Sequence, residues 1–173
     1  NSKLNLNLRE EHGYCYTARA SFHGNKYPGP YIIEANVKPG ATDSAVLEIM
    51  KEIKKYADAA LKSDPNHYKA WHVMGRWYYE VSNLNFFEKA AIKLLFGGMP
   101  KASFADAVKA FEKAKSLSPN FVLNDYELAK AYKKTGQKDK AIACLEAMLL
   151  QPDRTEDDKN AKANGRKLLD DLK

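Results

Sequence analysis

The spacing of apolar residues changes character several times in the first third of the chain. Leu4, Leu6 and Leu8 stand among polar neighbours in an amphipathic phase that breaks at Gly13, predicting a helix over about residues 2–11. The next stretch alternates, with Tyr14, Tyr16 and Ala18 set against Cys15, Thr17 and Arg19, and predicts a strand over 14–22. The turn residues of "GNKYPGP" at 24–30 separate it from a second strand, "YIIEANV", at 31–37. "KPGATDSAVLEIMKEI" then offers Thr42 or Asp43 as the N-cap of a helix running from Ser44 to Lys62. Two strands alone are marginal in water, so this piece needs something to lean on.

Beyond about residue 54 the strand signals stop. Ala, Leu and Lys dominate, aromatic residues recur at helical spacing, and Pro or Gly punctuates in "SDPN", "FGGMP", "LSPN", "TGQ" and "QPD". Trp71, Met74, Gly75 and Tyr78 fall at the W-x2-L-G-x2-Y spacing of a tetratricopeptide repeat, and Ala107, Phe111, Ala114 and Pro119 fit its second half. Leu128, Ala129, Tyr132 and Ala141 refill the same places, while Ala57, Ala60 and Pro65 resemble the end of a preceding unit. Nine positions separate Tyr132 from Ala141 but twenty-nine separate Tyr78 from Ala107, so the first repeat carries about twenty extra residues. The small residues have a physical role: Gly75 and Ala129 let paired helix backbones approach, and Tyr, Trp and Phe fill the gaps. The expected fold is mainly α, with tetratricopeptide-type helical repeats and a small N-terminal helix–β-hairpin–helix segment. The expected domains are 1–53 and 54–173, the latter with an inserted helix at about 84–98. The stripe Phe86, Phe87, Ala90, Ala91, Leu94 and Leu95 in that insertion reads as packing on its own domain, with a partner-docking or membrane-surface helix as the alternative.

Composition narrows the chemistry. The chain has 173 residues, 45% hydrophobic and 29% charged, which is ordinary for a globular protein and allows one good core or two small ones. No apolar run approaches the ~20 residues of a membrane span. The net charge of +6 is spread among interleaved acids, which disfavours a nucleic-acid stripe. Cys15 and Cys144 lie far apart without CxxC spacing and read as ordinary thiols rather than a metal or redox site. Glu10 and Glu11 are adjacent and point apart, a poor acid/base pair. "GNKYPGPY" lacks phosphate-loop spacing, and no Ser-His-Asp or Cys-His arrangement stands out. No cofactor is expected.

Two resemblances follow, one for each half. "HVMGRWYYEVSNLNFFEKAAIKLLFGGMPKASFADAVKAFEKAKSLSPNF", with the tail "RTEDDKNAKANGRKLL", resembles the regulator of microtubule dynamics family over roughly residues 55–173. That resemblance implies an all-helical protein-binding module without catalysis, and a link to microtubules. "NSKLNLNLREEHGYCYTARASF" and "GPYIIEANVKPGATDSAVLEIMKEI" resemble the carboxy-terminal domain of pitrilysin-type (insulinase-like) zinc peptidases over residues 1–53. This second likeness implies that Tyr14 and, as the nearest arginine, Arg9 correspond to substrate-contacting residues. It also makes the opening stretch read as an interior piece of a larger domain, joined near Ile53 to a module of another family. The zinc motif His-x-x-Glu-His is absent: among His12, His23, His67 and His72 only the last two are close, at a spacing of five with no glutamate between them.

In repeats of the tetratricopeptide type the first helix of each pair lines a concave groove. The groove-lining positions here are Lys69, His72, Arg76 and Tyr79, then Leu123, Tyr126, Lys130 and Lys133. Cationic groups interleaved with aromatic rings point to an acidic peptide or protein partner. The leading expectation is therefore a non-enzymatic protein-interaction module. The alternatives are a non-catalytic, substrate-contacting portion of a pitrilysin-type metallopeptidase, and a microtubule-associated factor. The expected setting is soluble and cytoplasmic, and the exposed strand edges leave self-association through the hairpin open.

Overall fold

The computed structural model describes residues 3–22, 31–85, 88–90, 93 and 101–173. The chain is mainly helical with one two-stranded antiparallel sheet among the described residues. It divides into two compact units, Asn1–Lys55 and Tyr56–Lys173.

The first unit opens with a short turn, α1 (Lys3–Asn5), that continues as a π-helical segment over Leu6–Glu11. The helix expected there is thus wider than an α-helix for most of its length. It ends as the Gly13 N–H donates to the Arg9 carbonyl (3.1 Å) and the Tyr14 N–H to the Leu8 carbonyl (2.8 Å). Gly13 takes φ +63°, a left-handed value that suits glycine at this stop. Strand β1 (Cys15–Phe22) then pairs antiparallel with β2 (Tyr31–Val37). The register shifts between Cys15 and Ala18, and this irregularity overrides the simple alternation. Residues three apart belong on opposite faces of a regular strand, yet Cys15 and Ala18 are both buried while Tyr16 is 65% exposed. Leu8, Cys15, Ala18 and Ala45 form a small core, flanked by Leu4, Tyr14, Val37 and Ile49. Asn5 Oδ1 accepts a bond from the Ala18 N–H (3.2 Å), fastening the opening segment to the strand.

Helix α2 (Thr42–Ser63) runs from the first unit into the second. The Ala45 N–H donates to the Ala41 carbonyl, so Thr42 and Asp43 lie inside the first turn rather than at the cap. In the second unit α3 (Tyr68–Asn83) starts at His67, whose Nδ1 accepts from the Ala70 N–H (3.2 Å). Helix α4 (Phe104–Leu117) is capped by Ser103 and is followed by α5 (Val122–Lys134) and α6 (Lys138–Leu149). A capping box of Thr155 and Asp158 opens α7 (Glu156–Leu172). Each helix from α3 to α7 packs on the next in sequence, and α5 also touches α3 and α7. Their shared core includes Phe111, Leu128, Ala129, Leu145 and Met148, all fully buried. Most of the inserted helix expected at 84–98 lies outside the described residues. At its start Asn85 and Glu88 exchange reciprocal capping bonds of 2.6 and 2.9 Å.

Gly75 marks the closest approach. A Cβ added there would meet the Phe111 ring at 2.5 Å, so α3 sits against α4 only because this residue has no side chain. The turn between α5 and α6 uses Gly136 at φ +74° with open space around it, a conformational rather than a steric demand. Chemical denaturation followed by circular dichroism should separate the two. Gly75→Ala is expected to lose about 1–3 kcal/mol by overpacking, and Gly136→Ala about 1 kcal/mol from the left-handed backbone. An unchanged midpoint for Gly75→Ala would contradict the close approach.

Candidate functional site: the face shared by α3 and α5

Helix α5 carries an unusual run of buried polar side chains: Asn124, Asp125 and Glu127 are all 2% exposed or less. Buried polar groups persist only when their bonds are made, and each of these reaches beyond its own helix. Asn124 donates from Nδ2 to the Phe111 carbonyl on α4 (3.0 Å), which leaves its Oδ1 to accept from His72 Nδ1 on α3 at 3.1 Å. Glu127 accepts from Arg76 Nη1 (2.6 Å) on α3 and from Lys130 Nζ (2.8 Å) one turn along its own helix. The Lys130 ammonium lies over the Tyr79 ring (4.9 Å to its centre) and over Tyr126 (5.4 Å).

These contacts form a ladder. His72 meets Asn124, Arg76 meets Glu127, and Tyr79 meets Lys130, so each step forward on α3 matches a step forward on α5. The two helices therefore run parallel and in register, although about fifty residues separate them in sequence. Asp125 faces the other way. It accepts from Lys115 Nζ on α4 (3.0 Å) and from Gln151 Nε2 (2.7 Å), and its backbone carbonyl accepts from the Cys144 thiol (3.4 Å). Burial pushes that thiol up to about 11, which keeps it protonated at neutral pH.

Of the eight groove positions, the structure gathers Arg76, Tyr79, Tyr126 and Lys130 around Glu127. His72 and Tyr79 are buried rather than presented outward. The reason is helical phase. At about 100° per residue, Lys69, Val73, Arg76 and Glu80 fall within about 60° of one another, whereas His72 and Tyr79 are turned to one side of that stripe, toward α5. All four residues of the stripe are exposed. His72, packed against the Phe111 and Phe121 rings, is held below its ordinary value by burial, a shift that the bond to Asn124 and the charge of Glu127 partly oppose. It is a neutral donor and not one of the cations of the face. Leu123 is half-buried at the core margin, Lys133 is exposed, and Lys69 leans over Tyr68 (5.9 Å).

Glu127 and Glu80 were not among the groove positions expected from the repeat. The visible signal for the acids was spacing, Arg76 to Glu80 at four residues and Glu127 to Lys130 at three. Glu80 accepts from Arg76 Nη2 at 3.2 Å. Nothing in the linear pattern distinguished Glu127 as the acid shared by two helices.

His67 and His72 make no metal pair: His67 caps α3 while His72 is buried against Asn124. Among the described residues no group of three or more His, Cys, Asp or Glu is placed to hold a metal. Both cysteines are free and buried. In the first unit Tyr14 stacks on His12 (5.0 Å, 8° between planes), and His12 Nε2 lies 3.8 Å from Glu48. Arg9 is exposed and turned to Glu10 at 3.8 Å. Among the described residues no helix is long and apolar enough to cross a membrane.

Fold and face together define a mainly α-helical protein with a polar, aromatic helix face and a small α/β unit ahead of it. Residues 45–173 match the family described as regulator of microtubule dynamics protein 1-3, and the chain belongs to that family. Residues 1–64 match the Peptidase M16 inactive domain, so the likeness of the first stretch to that peptidase family is real and concerns a domain described as inactive. Human regulator of microtubule dynamics protein 2 is 32% identical over 121 residues, covering 69% of this chain and 30% of that protein. Mouse regulator of microtubule dynamics protein 1 is 30% identical over 121 residues, covering 69% of this chain and 40% of its own length. The Xenopus laevis protein 3 is 30% identical over 117 residues, 67% of this chain and 25% of that protein. The chain thus spans less than half the length of each of these relatives.

The buried His72 has a pH signature. The folded protein holds it below 6.5, the value the unfolded chain keeps, so the unfolded state binds more protons once the pH falls under 6.5. Its contribution to stability is complete above 6.5 and is lost as the pH falls from there toward the lowered value. Urea unfolding between about pH 8 and about pH 5 should show the wild-type midpoint falling, with a smaller fall for His72→Gln. Equal slopes for the two proteins would contradict the assignment.

Proposed function

We propose that residues 56–173 form a non-enzymatic protein-interaction module of tetratricopeptide type, whose α3–α5 face takes an acidic peptide segment of a partner protein. The observation that carries this reading is the grouping of Arg76 and Lys130 with Tyr79 and Tyr126 around Glu127. Lys69 and Lys133 extend the same face with exposed cations. The buried carboxylate fixes two long cationic side chains that would otherwise lose rotamer freedom on binding, and such preorganisation favours association. The family supplies the biological direction. Its members are named for microtubule dynamics, so a microtubule-associated role, with the acidic tails of tubulin as the segment held, is the specific form of this proposal.

A panel of fluorescein-labelled acidic peptides, tubulin tails among them, tests it by anisotropy. At least one is expected to bind and to weaken as salt rises. The double variant Lys69→Glu, Lys133→Glu should weaken binding by about tenfold, since rim charges are worth up to about 1 kcal/mol each. Both lysines are exposed, so the fold should survive. No salt-sensitive binding by any peptide would remove the proposal.

A second reading rests on the peptidase likeness of residues 1–64. In it the first unit is a non-catalytic, substrate-contacting piece, with Tyr14 and Arg9 as the contacts. Arg9→Ala and Tyr14→Phe would then lower the affinity for an extended peptide without moving the unfolding midpoint, and no effect on any peptide would end that reading.

A further inference from the structure

We propose that the acidic segment runs on from the α3–α5 face to the turn between α5 and α6, where a lysine cluster holds it as a run of adjacent carboxylates. This rests on the acidic-peptide reading above and specifies the partner. Three observations lead to it.

The first is where free charge lies. Arg76 and Lys130 are neutralised by Glu127 and Glu80, so the ladder has little net charge to offer. Lys133 and Lys134 close α5, Lys138 and Lys140 open α6, and all four are exposed. Among the described residues none of the four has a carboxylate within ion-pair distance. Asp139 is the one acid in the stretch 133–140, so positive charge is in clear excess there.

The second is how two of them are held. The Lys134 ammonium lies over the Phe104 ring and the Lys140 ammonium over the Tyr132 ring, each 5.5 Å from the ring centre. Phe104 packs against Tyr79 (5.3 Å), and the Tyr132 hydroxyl donates to Glu112 (2.7 Å), so both rings are fixed. A ring orients a cation without neutralising it, and side-chain freedom is given up before a ligand arrives. The third is the turn. The Gln137 N–H donates to the Tyr132 carbonyl (2.9 Å) and the Gly136 N–H to the Lys133 carbonyl (3.2 Å), which folds both lysine pairs to one tip. Open space surrounds Gly136, so a partner can approach. Cations in the first turn of a helix oppose its dipole, so helix stability does not account for Lys138 and Lys140.

The chemistry of the cluster sets what it reads. Lysine is a compact charge on a flexible stem, without the fixed fork by which arginine matches one carboxylate. The tip therefore responds to the density of negative charge rather than to the order of side chains. Charges act together within about a Debye length, roughly 8 Å at physiological salt. Adjacent glutamates fall inside that range. Glutamates separated by three serines stand about 13 Å apart in an extended chain and reach the tip one at a time.

The test titrates two capped peptides of identical composition into the full chain by NMR. One carries four adjacent glutamates, the other the same glutamates separated by three serines each. The wild type is expected to bind the first about tenfold more tightly, with the Gly136 amide among the most shifted. The double variant Lys134→Gln, Lys138→Gln should weaken that binding about tenfold with an unchanged unfolding midpoint. Equal affinity for the two peptides overturns recognition of a run. Shifts that leave residues 133–140 untouched, or full affinity in that variant while Lys69→Glu, Lys133→Glu loses it, overturn the tip and leave the acidic-peptide reading standing. Binding of neither peptide, in a protein that also binds none of the acidic panel, overturns both.

Discussion

The helical unit depends on polar side chains buried in α5. Asn124 bonds both to His72 on α3 and to the Phe111 carbonyl on α4, so one side chain fixes three helices in register. Hydrophobic contacts alone would hold these helices together but would tolerate sliding, since dispersion and burial are non-directional. A buried amide does not tolerate it: losing a partner strands a donor or acceptor at a cost of about 1–3 kcal/mol. Asp125 repeats the device toward Lys115 and Gln151, so α5 is bonded outward on two sides. The packing of Phe111 against Gly75 completes the arrangement, because the ring occupies the space that any side chain at that position would need.

The same geometry explains the character of the exposed face. Glu127 has only 3% of its side chain exposed and would be costly to bury alone; Arg76 and Lys130 supply the compensation. In return the carboxylate holds both cations in place. Lys130 lies over two tyrosine rings with 26% of its side chain exposed, so its charge is shared between the face and the interior. A face that looks strongly basic in sequence is, in three dimensions, a cluster in which Arg76 and Lys130 are balanced by Glu127 and Glu80.

The small unit makes a different point. Its hairpin buries Cys15 and Ala18 together only because the ladder slips between them. The opening segment closes over that face as a π-helical coil, tied by Asn5 to the strand and ending where Gly13 takes a left-handed conformation. Leu8, Cys15, Ala18 and Ala45 form its buried cluster among the described residues.

How much of this was legible beforehand follows from the range of the forces involved. Element type came from local periodicity: the hairpin strands, the long helix after Gly40 and the chain of helices from Tyr68 onward are all readable from apolar spacing and turn residues. The close-approach role of Gly75 was readable too, because a small residue at a fixed place among aromatic ones has few other uses. Apart from the π-helical opening and the cap of α2, the linear pattern carries the elements, their order and the family. Which polar residues lie inside follows from docking alone. Asn124, Asp125 and Glu127 look like ordinary surface residues of a helix, and their burial depends on partners on other helices, as far away in sequence as His72 and Arg76. Likewise, a 60° difference in helical phase, invisible until α3 is docked on α5, separates the exposed Arg76 from the buried Tyr79 and turns His72 from a presumed cation into a buried, neutral donor.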